Sequence, residues 1–81
     1  MLDAQSALDA VGNEPIPSHH PRDVYGFLFV NESGRPSIGV RDNRDTAAAT
    51  VGFYQQAGRD AVLVCRVRLD GESLSEWRVV E

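Results

Sequence analysis

The chain has 81 residues, room for one small domain at roughly 100–200 residues per domain. Its composition, 42% hydrophobic and 25% charged, is that of an ordinary globular domain and excludes a disordered chain or a collagen-like repeat. The formal charge of −4 argues against long-range attraction to a nucleic-acid backbone or an anionic membrane surface.

At the N-terminus Ala4, Ala7, Leu8 and Val11 fall on one helical stripe, with Asp3 placed to cap the start and Gly12 to end it. Met1 to Val11 carries Asp3 and Asp9 and no basic residue, so it lacks the pattern of a signal peptide. Residues 1–12 are therefore read as a short helix. Residues 13–21 hold Pro15, Pro17 and Pro21, which remove backbone donors and favour extended chain, and are read as an arm. Residues 22–81 form the expected ββαββ core.

Val24 to Val30 is apolar on both alternating faces, with Val24, Leu28 and Val30 on one and Tyr25, Phe27 and Phe29 on the other. Such a strand belongs in the centre of a sheet covered on both sides. Asn31 to Pro36 is turn-forming. Pairing Val30 with Ile38 and Leu28 with Val40 keeps apolar residues together and leaves a three-residue loop containing Gly34. Beyond Asp42, taken as the N-cap with Asp45 three residues on, the period becomes helical and runs to Gly58. Ala47, Ala48, Val51, Phe53 and Tyr54 make its apolar side, and Gly52 suggests a close approach to the sheet. Ala61 to Leu69 alternates as a strand, and Asp70-Gly71 marks a hairpin. Pairing Leu69 with Ser73 sets Val67 against Ser75, Cys65 against Trp77 and Leu63 against Val79, with Arg66 opposite Glu76 and Arg68 opposite Leu74 on the other side.

The expected fold is α+β, one small domain in the order α-ββ-α-ββ, with a four-stranded, mainly antiparallel sheet and one main helix packed on it. Strand order is left open by two hairpins joined by a helix.

Cys65 is the only cysteine. An intramolecular disulfide is impossible and C-x-x-C motifs are absent; with a lone thiol and no apolar run of about 18–20 residues, a cytoplasmic protein is expected. All eight basic residues are arginine, consistent with a GC-rich coding sequence. His19, His20 and Asp23 are residue types that bind zinc or iron. Neighbouring histidines on extended chain point in opposite directions, however, so His19 and His20 are read as interface or solvated residues and no metal is expected. No nucleophile elbow, phosphate loop or calcium loop is present.

These readings predict a non-enzymatic, cofactor-free protein-binding module that acts stoichiometrically, of the inhibitor, immunity or regulatory type that phages and mobile elements encode. Its predicted interface residues are Tyr25, Phe27, Phe29, His19 and His20. A homodimer is expected, because one long helix covers only one face of the Val24 to Val30 strand and the alanine-rich N-terminal stripe is a thin lid for the other; the competing outcome is a monomer whose N-terminal helix covers that face. The alternative is single-stranded nucleic-acid binding through Arg66, Arg68 and Arg78 on one outer face of the last hairpin, with Arg41 nearby.

Overall fold

The computed structural model describes residues 3–17, 22–69 and 73–80. His19, His20 and the Asp70-Gly71 turn lie outside the described residues. Helix α1 (Ala4–Ala10) starts at Asp3, whose carboxylate accepts from the Gln5 and Ser6 amides at 3.1 and 3.3 Å. It ends at Gly12, which sits at φ +74° and donates to the Asp9 carbonyl. These are the cap and stop expected of those residues.

Strand β1 (Ile16–Pro17) lies in the proline-rich arm, followed by β2 (Val24–Val30), β3 (Pro36–Arg41), helix α2 (Arg44–Gln56), β4 (Ala61–Arg66), β5 (Ser73–Leu74) and β6 (Arg78–Val79). The main sheet is antiparallel in the order β3-β2-β4-β6, so β2 is central as its two apolar faces require. The arm does not stand apart. β1 pairs with β5 in a second, two-stranded sheet, and Asn13 clamps the last segment of the chain. This is the α+β class expected, with the β1–β5 pair added to it.

The β2–β3 hairpin pairs Leu28 with Ile38 and Val30 with Pro36, two residues from the expected register. The same side chains share each face, because the strand period is two. Asn31 sets the shift: its side chain accepts from the Ser33 and Arg35 amides, and its own amide donates to the Arg35 carbonyl. The loop proper is then Glu32 to Gly34, with Gly34 at φ +79° in the left-handed last position such a loop needs. Pro36 opposes the end of β2, where its missing amide is least costly.

The cap of α2 is Asn43 rather than Asp42. The Asn43 side chain accepts from the Thr46 amide at 2.8 Å, and asparagine and aspartate cap equally well, so their order in sequence does not choose between them. At the other end Gly58 (φ +76°) and Arg59 donate to the Gln55 and Tyr54 carbonyls, closing the helix. Ala47, Val51 and Tyr54 face the sheet, whereas Ala48 and Phe53 face outward. Gly52 does not mediate a close approach either, since a Cβ there would meet nothing.

The last hairpin begins in the expected register: Leu69 donates to Ser73, Arg68 bridges Leu74 and Ser75 donates to Val67. It then slips by one residue, pairing Cys65 with Arg78 and Val64 with Val79 instead of Cys65 with Trp77. Ser75 causes the slip. Its hydroxyl accepts from the Val67 amide at 2.8 Å, taking the place of the ladder carbonyl, and donates to the Glu76 carbonyl. The freed Ser75 carbonyl accepts from Arg66 instead. The extra residue is a bulge, and it turns the Trp77 ring onto the face that α1 covers.

Two cores result. On one face of the sheet Leu28 and Val64 pack with Ala7, Leu8 and Trp77. On the other, Phe27 and Ala61 pack with Val51, Phe29, Tyr54 and Leu63. A second layer therefore exists, the competing outcome to a dimer, with Trp77 as its unforeseen part: α1 and Trp77 together close the face for which α1 alone is thin.

Candidate functional site

Of the expected interface aromatics, Phe27 and Phe29 lie in the core beneath α2. Phe27 is 3% exposed and its ring stacks on Phe29 (5.1 Å between centroids) and tilts against Tyr54 (5.5 Å), with the Arg41 guanidinium 4.6 Å above it. Phe29 stacks on Tyr54 in turn, and both Phe29 and Tyr25 are half-buried. Phe27 and Phe29, two of the aromatics on which the expected homodimer rested, are thus packed within one chain.

The three arginines do not share a surface. Arg66 pairs across the strand with Val24 and lies over the Trp77 ring at 4.8 Å, on the α1 side. Arg78 pairs with Cys65, on the α2 side, and its Nε meets Glu76 at 3.1 Å. The bulge at Ser75 separates them by moving one strand a residue out of step. Arg68 belongs to the bridge with Leu74, and its amide donates to Asp23. Glu76 is held below the usual carboxylate range by its own backbone amide first and by Arg78 next. Burial, followed by the nearby Asp23 charge, pushes the Cys65 thiol up, which makes it a poor nucleophile. Among the described residues no three of His, Cys, Asp and Glu gather in a metal-holding group, and no helix is long and apolar enough to cross a membrane.

The surface that stands out is the outer side of α2. From Thr46 to Gly58 no residue is charged, in a chain that is 25% charged. Ala48, Ala49, Phe53 and Gln56 are exposed along this side, and Gly52 lies open between them. Phe53 is 70% exposed, its ring edge-on to that of Tyr54 with centroids 6.2 Å apart. An exposed helix is ordinarily laced with charge, whereas interface centres are depleted of charge and enriched in aromatic residues. Apolar periodicity placed Phe53 in the core; the signal that marks it as a surface group is the missing charge around it.

No protein-family model, curated protein or solved structure matches the chain.

Proposed function

We propose that the chain is a stoichiometric, non-catalytic protein-binding module whose contact surface is the outer side of α2, with Phe53 as the anchor. The observation that carries this reading is a fully formed helix presenting one ring, 70% exposed, in the middle of a charge-free surface. A convex ridge with a single protruding aromatic complements an apolar groove in the partner, the helix-in-groove mode of recognition, and aromatic anchors seated in pockets carry much of the energy of such contacts. A second copy of the chain fits this surface less well. A 13-residue helix is about 20 Å long and about 10 Å wide, so symmetric packing of two such faces covers about 200 Å² per chain, well below the roughly 800 Å² of a standard interface.

The test is affinity capture from the cells the chain comes from, using the wild type, Phe53→Asp and the control Glu32→Arg in the exposed hairpin loop. One protein retained in equimolar amount by the wild type and the control, and lost by Phe53→Asp, is the expected result. Capture of the same protein by Phe53→Asp, or of a second copy of the chain alone, overturns the reading.

A further inference from the structure

A cleft of about 430 Å³ opens at the corner between α1 and the arm. Its walls are Val11 and Gly12 at the end of α1, Asn13, the first half of β3 including Pro36 and Ile38, and the Arg66–Trp77 stack. The volume is within the range of small-ligand sites, about 300–1,000 Å³, and the wall is mixed, with Asn13, Ser37 and Arg66 as its polar part and Val11, Pro36, Ile38 and Trp77 as its apolar part.

The polar group in this cleft is unusual in what it lacks. Arg66 is half-buried, and its Nη1 donates to two neutral acceptors, the Glu14 and Ser75 carbonyls at 2.7 and 2.9 Å. Among the described residues it forms no ion pair, and its Nε and Nη2 have no hydrogen-bond partner. The Glu76 charge acts on it without touching it, since that carboxylate is engaged with Arg78. A guanidinium carries five donors in a planar fork suited to a carboxylate, and a partly desolvated charge without a counter-ion is costly to maintain. The two carbonyls and the Trp77 ring fix the plane of this fork before anything binds, so little is lost in ordering it.

We infer that the Arg66–Trp77 cleft binds a single carboxylate carried on a small apolar body, the carboxylate on Arg66 and the body against Trp77, Val11, Pro36 and Ile38. One cation in a chain of net charge −4 selects a monoanion and repels a polyanion such as nucleic acid. The site is on the opposite side of the sheet from α2's outer surface and is independent of what that surface binds.

Trp77 is the only tryptophan, so its fluorescence reports the cleft directly. The probes are 3-phenylpropionate, its uncharged amide, acetate, and a short acetylated peptide ending in phenylalanine with a free or an amidated C-terminus. The acid is expected to bind at least tenfold more tightly than the amide, and acetate more weakly than the acid. Arg66→Gln is expected to abolish the difference between acid and amide. Preference for the free peptide over the small acid assigns the carboxylate to a chain terminus; the reverse assigns it to a metabolite. Equal binding of acid and amide, or no change in Trp77 fluorescence up to about 10 mM acid, overturns the inference. The acid–amide comparison is made on the wild-type chain and stands whether or not Arg66→Gln folds.

Discussion

Gly39→Ala probes the packing of the α2 side most sharply. Gly39 faces Phe27 across the β2–β3 pair, and a Cβ built there falls on the Cζ and Cε1 atoms of the ring. The ring occupies the space a side chain would need. It has nowhere to go, because Phe29, Tyr54 and the Arg41 guanidinium surround it at 5.1, 5.5 and 4.6 Å. Overpacking a core of this kind costs about 1–3 kcal/mol, and loosening one or two aromatic pairs adds about 0.5–1.5 kcal/mol each. Removing a glycine from the unfolded chain returns about 0.4–1 kcal/mol. The net loss is about 2–4 kcal/mol, a large share of the roughly 4–12 kcal/mol expected of 81 residues, and it lowers Tm by roughly 10–30 °C. Urea unfolding followed by Trp77 fluorescence and circular dichroism measures it. The decisive comparison repeats the substitution in a Phe27→Leu background, where the smaller side chain makes room and Gly39→Ala should cost under about 1 kcal/mol, a coupling of about 1–3 kcal/mol. An equal cost in both backgrounds would refute the ring-over-glycine packing.

Ser75→Ala leaves the Val67 amide without its 2.8 Å acceptor beside a fully buried residue, so a loss of about 1–3 kcal/mol is expected in the same unfolding assay; a neutral substitution contradicts the role given to the bulge. The raised Cys65 pKa means that the folded state favours the neutral thiol. Its contribution to stability is complete below the ordinary thiol pKa and is lost as pH rises through the higher, folded value, and alkylation at pH 8 should be slower in the native protein than in denaturant. Equal rates would show that the thiol is unshifted and open. Phe27→Asp places a carboxylate among packed rings and should unfold the chain, whereas Phe53→Asp should leave the circular dichroism spectrum unchanged; a folded Phe27→Asp that changed only the sedimentation mass would instead mark Phe27 as an interface residue.

Most of the local structure was legible in the sequence because it depends on residues near one another. The Asp3 cap, the stops at Gly12 and Gly58, the loop through Gly34 and the centrality of Val24 to Val30 are short-range consequences of side-chain type. Strand order and the β1–β5 pairing are not, since nothing in Ile16 or Leu74 names its partner. The bulge was hidden for a different reason. Ser75 acts through a hydroxyl that replaces a backbone acceptor, and a serine in an alternating strand gives no outward sign of that. Once Trp77 is displaced, an alanine-rich α1 suffices as a lid over Leu28 and Val64, whereas Phe27 and Phe29 are covered because α2 packs on their face instead of the other. The α2 surface was legible only in part: periodicity identified an amphipathic helix, but separating Phe53 from Tyr54 required the angle at which α2 meets the sheet.

The most direct measurement of the central claim is site-specific photo-crosslinking in the cells the chain comes from, with benzoylphenylalanine in place of Phe53 and, as the control, in place of Glu32. The charge-free side of α2 predicts one discrete adduct, heavier than two copies of the chain, from the position of Phe53 and none from the position of Glu32. No adduct at the Phe53 position, or the same adducts from both positions, contradicts a binding surface on α2.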